Sequence, residues 1–290
     1  MFQSTAELLK EVRKIEIKTK GLSRQIFTGS YHSAFKGRGM AFSEVREYQI
    51  GDEIRTIDWN VTARLGKPYI KVFEEERELT VMLLVDVSAS DNFGTQRRLK
   101  KKLITELCAV LAFSATQNND KTGVIFFSDH IEKYIPPKKG KSHTLRIIRE
   151  LLDFEPKGTG TDLKGALKYL TQVVKKRCIA FAISDFMAPD YDRELRLAGK
   201  KHDLLAMRIY DPKEMELPKI GLVQFKDPET GELLWVNTNR PSVRKKYAKA
   251  MQNFVESTEE RCKKAGVQIG HFETSDSYVQ PLTKLFKRKG

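Results

Sequence analysis

The chain has 290 residues, 40% of them hydrophobic, with 52 Lys and Arg against 38 Asp and Glu and a formal charge of +14. The length exceeds the common domain size of about 100–200 residues, so one enlarged domain or two is expected, with apolar residues enough for a sizeable core. Residues 1–14 lack the apolar centre of a signal peptide, and no run approaches the roughly 18 apolar residues of a membrane helix. Cys108, Cys178 and Cys262 stand far apart without a CxxC spacing. These features argue against a disulfide framework or zinc–thiolate site and lead to the expectation of a cytoplasmic protein with reduced thiols.

The positive charge is spread along the chain, net +2 over residues 1–78, +6 over 79–217 and +6 over 218–290. Local clusters occur at Arg97–Lys102, Lys138–Lys141, Lys175–Arg177, Arg244–Lys249 and Lys287–Lys289. The first and fourth carry interleaved apolar residues, which reads as the solvated face of a helix; contact with nucleic acid or another anionic surface is the competing reading.

In chain order, Leu8, Leu9, Val12 and Ile15 predict a helix over Thr5–Lys20 with a stop at Gly21. From Leu22 to Glu78 short extended pieces are broken by Gly29, Gly37, Gly39, Gly51 and Gly66, which predicts a small β-rich N-terminal extension, residues 1–78 with its helix. Leu79–Asp86 is an apolar run ending in an acid, the pattern of a strand buried on both faces. Leu99, Leu103, Leu107, Val110 and Leu111 then follow at helical spacing. Strands are predicted at Gly123–Phe127, Ile131–Ile135, Cys178–Ile183, Asp203–Ile209 and Val267–Phe272, with helices around Leu145–Leu152, Leu163–Val174 and Ser242–Lys264. Alternating strands and helices imply right-handed crossovers and a mostly parallel sheet covered on both faces. A hairpin around Pro228–Gly231 interrupts this rhythm at about 219–238, and 276–290 reads as a basic C-terminal tail after a main domain at 79–275.

In open parallel sheets ligands bind beyond the carboxyl ends of the strands. Three segments place small oxygen-bearing residues there: Asp86-Val-Ser-Ala-Ser90, Gly158-Thr-Gly-Thr-Asp162 and Ser184-Asp185. Alternation along Asp86, Ser88 and Ser90 puts their oxygens on one side of an extended turn, while Thr161 lies between flexible glycines and a helix. Each piece also has a local explanation as a helix cap or turn residue. Together they form an all-oxygen donor set of two acids and three hydroxyls, which suits Mg²⁺ or Mn²⁺.

On these residues, Leu79–Phe272 resembles a von Willebrand factor A-type domain with a metal-ion-dependent adhesion site, whose Asp-x-Ser-x-Ser, Thr and Asp elements map onto Asp86, Ser88, Ser90, Thr161 and Asp185. The resemblance implies a three-layer, Rossmann-like α/β fold and a metal with one position open to a partner's carboxylate. The preceding string Gly37–Phe42, Arg46-Glu-Tyr48, Gly51-Asp52, Arg55, Ile57-Asp-Trp59, Ala63-Arg64 and Glu74–Glu76 resembles the bacterial and archaeal domain-of-unknown-function family fifty-eight. That family joins such a stretch to an A-type domain. The resemblance implies partnership with a MoxR-type AAA+ ATPase, or its client, in chaperone-like assembly or maturation. Within the string, Arg46, Arg55 and Arg64 alternate with Asp52 and Asp58, which predicts internal ion pairs fixing the extension to the main sheet, with Tyr48, Gly51 and Trp59 as structural or recognition residues and Trp59 as an anchor in the domain contact; a second recognition surface near the metal edge is the competing reading.

Signals for catalysis fail. Gly140-Lys-Ser142 lacks the first glycine of a phosphate loop because Ile135 stands there, and Gly37-x-Gly39 lacks a third glycine at Phe42. Ser88 occupies the place where an aspartyl-phosphate enzyme needs its second acid, and none of the five His sits in a nucleophile motif. The expected function is therefore metal-dependent protein recognition and not catalysis, with nucleic-acid or anionic-surface binding as the alternative.

Overall fold

The computed structural model describes Arg13 and residues 40–75, 79–88, 94–158, 160–226 and 233–287. The helix expected at Thr5–Lys20 lies outside the described residues except for Arg13, and Ser90 and the turn of the predicted hairpin lie outside them too. The chain divides into two compact units, Lys36–Leu79 and the remainder.

In the smaller unit, β1 (Met40–Glu47) pairs antiparallel with β2 (Tyr69–Glu75), Val45 opposite Lys71 and Glu47 opposite Tyr69. The connection is not purely extended: a 3₁₀ turn at Ile54–Thr56 leads into helix α1, Trp59–Leu65. Asp58 caps α1 by accepting from the amides of Asn60 and Val61, and Gly66 ends it in the left-handed region at φ 68°. These two caps let a seven-residue segment turn helical where its glycine-flanked sequence reads as extended. Of the expected ion-pair network one full member forms. The Arg46 guanidinium grips Asp52 with both nitrogens at 2.7 and 2.8 Å. Asp58 meets Lys71 at 3.4 Å instead of an arginine, and Arg55 and Arg64 are exposed. Trp59 is 68% exposed.

The larger unit is built on a six-stranded sheet in the order β10-β7-β6-β3-β4-β5. Its strands are β3 (Thr80–Asp86), β4 (Lys121–Phe127), β5 (Ile131–Lys138), β6 (Ile179–Ser184), β7 (Asp203–Tyr210) and β10 (Gln268–Glu273). All neighbours run parallel except β4 and β5, which form an antiparallel hairpin. The central strands are apolar at nearly every position because helices cover both faces. One layer holds α4 (Leu163–Val173), α5 (Asp192–Lys201) and α7 (Pro241–Ala265), whose Leu167, Leu195 and Cys262 join Met82, Leu84, Ile125, Ala180 and Ala182 in a continuous core. On the opposite face, α2 (Gly94–Gln117) packs Ala109 and Phe113 on Ile148 of α3 (Lys141–Asp153). The result is the mixed α/β fold with a mostly parallel sheet expected from the sequence.

Two elements depart from that expectation. Residues 192–201 form α5 although only Leu195 and Ala198 are buried, too sparse a stripe to announce a helix. The stretch 276–290, read as a basic tail, instead contains helix α8 (Val279–Lys287). Its Leu282, Leu285 and Phe286 are buried, and Phe286 sets its ring edge-on to Phe181 of β6 at 6.1 Å. Their spacing places three large apolar groups on one face, and that burial outweighs the charge of the neighbouring lysines. After the short helix α6 (Pro212–Met215), β8 (Leu222–Lys226) and β9 (Leu233–Asn237) pair antiparallel as the inserted hairpin. It leaves Leu222, Leu233, Leu234 and Trp235 exposed.

Candidate functional site

The chain leaves β3 toward β4 and β5 on one side of the sheet, and later fills the other side with β6, β7 and β10. The carboxyl ends of β3 and β6 are thus neighbours at the point where strand order reverses, where open α/β sheets hold their ligands. Asp86 ends β3, and Ser184 ends β6 beside it. The Ser184 hydroxyl donates to Asp86 Oδ2 at 2.6 Å, and the Ser88 amide donates to Asp86 Oδ1 at 3.0 Å. Thr161, on the loop entering α4, donates its hydroxyl to Ser88 Oγ at 2.8 Å. Asp162 caps α4 by accepting from the Gly165 amide at 2.8 Å.

Past Ser184 the backbone turns sharply. Phe186, fully buried, sits at φ 64°, a conformation that a bulky L-residue adopts only under constraint. The Ser184 hydroxyl also accepts from the Phe186 amide at 3.0 Å, and Asp185 Oδ1 accepts from the Met187 amide at 2.9 Å. Packing of the Phe186 ring beside Tyr191 holds this turn, which carries Asp185 to the mouth of the site.

Asp86, Ser88, Ser184 and Asp185 line one small cleft together with Lys100, Ile104 and Ile209. Burial is the main reason the Asp86 carboxyl is pushed up to about 7, and the negative charge of Asp185 pushes the same way against the hydrogen bonds from Ser184 and Ser88. A buried acid with a second, partly exposed acid in the same cleft and hydroxyl oxygens beside them is chemically suited to a small divalent cation, which would relieve both the desolvation of Asp86 and the repulsion. Among the described residues no three of His, Cys, Asp and Glu converge as a metal cluster, so any ion here relies on the hydroxyls.

Of the residues singled out from sequence, the structure brings Asp86, Ser88, Thr161 and Asp185 together, while Ser90 lies outside the described residues. Arg46, Tyr48, Gly51, Asp52, Arg55, Asp58, Trp59 and Arg64 belong to the smaller unit. Sequence reasoning missed two contributors, Lys100 and Arg208, and the role of a third, Ser184. Ser184 was visible as the residue before Asp185, but its bond to Asp86 spans 98 positions. Lys100 lines the cleft, 5% exposed, with Nζ 2.7 Å from Glu214, and nothing in a basic run marks one lysine as buried. Arg208, beside Ser184 in the β6–β7 register, lies over the rings of Tyr210 and Phe254; burial lowers its pKa and the charge of Asp185 opposes that.

The buried Cys178 and His202 come within 3.3 Å, yet desolvation pushes the thiol up to about 12 and the imidazole down to about 4. At pH 7 both are neutral, so the pair holds no thiolate nucleophile.

The sequence pattern of the family described as "Protein of unknown function DUF58" matches residues 44–256. "Uncharacterized protein Rv1480" of Mycobacterium tuberculosis (strain ATCC 25618 / H37Rv) is 30% identical over 247 residues, covering 84% of this chain and 78% of its own. "Uncharacterized protein YeaD" of Bacillus subtilis (strain 168) is 27% identical over 109 residues, 38% of this chain and 25% of its own. Among solved structures, BatB from Bacteroides thetaiotaomicron superposes with a TM-score of 0.44 at 16% identity, over 73% of this chain and 98% of its own. A von Willebrand factor type A protein from Catenulispora acidiphila gives 0.41 at 12% identity, over 76% and 43%. Proximal thread matrix protein 1 from the mussel byssus, solved with a zinc-occupied MIDAS motif, gives 0.38 at 19% identity, over 46% and 38%. No helix among the described residues is long and apolar enough to cross a membrane. By the extent of the sequence match, the chain belongs to the DUF58 family.

Proposed function

We propose that the protein is a metal-dependent protein-recognition module of the von Willebrand factor A type, in which Asp86, Ser88, Ser90, Thr161 and Asp185 hold Mg²⁺ or Mn²⁺. The observation that carries this reading is the hydroxyl contact between Thr161 and Ser88 at 2.8 Å, beside the paired acids Asp86 and Asp185 at the strand-order reversal. Bound there, the ion would supply an open coordination position to a carboxylate of the partner. The protein's own groups prepare that event. Ser184 orients Asp86, the Phe186 turn presents Asp185, and the Thr161–Ser88 contact holds two hydroxyls in one place before any ligand arrives. The two acids would repel an acidic partner if they stood alone, which makes recognition conditional on the metal. The partner we favour is a MoxR-type AAA+ ATPase or its client, met in the cytoplasm in chaperone-like assembly or maturation.

Calorimetry with Mg²⁺ and Mn²⁺ on the wild type and Asp86→Ala is the direct test. Binding by the wild type alone is expected, followed by capture of the ATPase that EDTA abolishes. If neither protein takes up metal, the reading is falsified. Capture that ignores EDTA and falls steeply with salt would point to binding through the distributed Lys and Arg.

A further inference from the structure

The loop bearing Thr161 has no regular structure and is rich in glycine, so by itself its backbone would sample many conformations. It is nonetheless pinned at both ends to the β4–β5 hairpin. At one end, a single carboxylate oxygen, Glu132 Oε1, accepts from the Lys157 amide, the Gly158 amide and the Ser128 hydroxyl, each at 2.8 Å. At the other, the Ser128 carbonyl accepts from the Asp162 amide at 2.6 Å. Only residues 159–161 lie between the pins. Glu132 is itself well fixed: its side chain is 3% exposed, and Oε2 faces His130 Nε2 at 3.4 Å, while His130 Nδ1 meets Asp129 Oδ1 at 2.6 Å. The approach is close: a Cβ on Gly158 would stand 2.1 Å from Asp129 Oδ1 and 2.3 Å from Ser128 Oγ, so any larger residue must displace those side chains.

We infer that Glu132 is a positioning residue of the metal site, holding the 157–162 loop so that the Thr161 hydroxyl stays beside Ser88. The inference rests on the metal reading above and adds to it a residue outside the adhesion motif. Glu132 is not one of the residues that line the cleft. It acts by removing the loop's freedom before the metal binds, so its contribution passes through Thr161 alone. Partners that orient metal ligands in this way commonly change affinity by about 10–100-fold when removed.

The test combines Mn²⁺ affinity, read by electron paramagnetic resonance, with amide hydrogen exchange in the full chain. Glu132→Ala is expected to speed exchange at Lys157 and Gly158, leave the amides of β3 and β4 protected, and weaken Mn²⁺ binding about 10- to 100-fold. Glu132→Gln keeps an acceptor oxygen at the same place and is expected to recover most of that affinity. Because the effect runs through Thr161, Glu132→Ala should add nothing to Thr161→Ala in a double-mutant cycle. Unchanged Mn²⁺ affinity in Glu132→Ala, or additive losses in the cycle, would overturn the inference while the wild type still binds metal. A wild type that binds no Mn²⁺ overturns the metal reading and the positioning role together, a result distinguishable from the first.

Discussion

Asp52 and Asp86 are the same residue in opposite circumstances. Asp52 meets Arg46 through two short bonds and also accepts from the Gln49 amide, and these contacts hold its carboxyl below the usual range. Asp86 is buried at a strand end and faces another acid, and its carboxyl is pushed the other way. The first acid has its counter-charge built in and serves its own unit's structure. The second is met by hydrogen bonds from Ser184 and Ser88, and in the reading proposed above a cation from outside would complete its environment. An acid with an internal partner reads as architecture, and an acid whose neighbours raise its energy reads as a site.

The strongest way to break this contrast is to exchange the roles by mutation. Asp86→Ala is expected to abolish Mn²⁺ binding in calorimetry, whereas Asp52→Ala leaves it unchanged; equal loss in both would erase the distinction. Next in size is Ser184→Ala, which removes a 2.6 Å bond to a buried acid. Urea unfolding should show a loss of about 1.5–3 kcal/mol, the range for a hydrogen bond to a charged group. Gly158→Ala forces a methyl into the Glu132-clamped turn and should lower stability by about 1–3 kcal/mol, as overpacking does, again read from the urea midpoint. The smallest effect belongs to the smaller unit. Arg46→Ala should shift stability slightly at low salt and less at high salt, because the pair is only partly buried and remains open to screening. Since the Asp52 pKa is lowered by folding, its contribution is present above about pH 4, near the unfolded value, and is lost as pH falls through the folded one. Acid titration of the wild type against Asp52→Asn checks that sign.

Much of the architecture could be read before any coordinates. Thr80–Asp86 shows unbroken apolar character ending in an acid, and a strand with helices on both faces leaves just that trace. Helices α2 and α4 declare themselves through apolar residues at helical spacing. Where the apolar stripe is thin, as in α5 with Leu195 and Ala198, periodicity falls silent although the helix still forms against the core. In α8 the basic residues mask a face that buries Leu282, Leu285 and Phe286. Caps act in the same hidden way at α1, where Asp58 and Gly66 decide the conformation of residues whose own preferences are weak.

At the site, the chemistry of the donors belongs to the sequence. Asp86, Ser88, Thr161 and Asp185 are recognisable as hard-oxygen groups at loop positions because residue type and local spacing are one-dimensional properties. Their electrostatic state is not. Asp86 is raised first by burial and then by the charge of Asp185, which β6 beside β3 brings to it from about a hundred residues away, against the hydrogen bond from Ser184. Lys100 turns inward and Glu132 clamps a distant loop for the same reason. Desolvation and Coulomb interaction depend on distance through space, and the chain settles those distances only when the sheet is assembled. The +14 charge that dominates the composition is spread over the chain, while the candidate chemistry rests on two acids and a few hydroxyls that folding brings together.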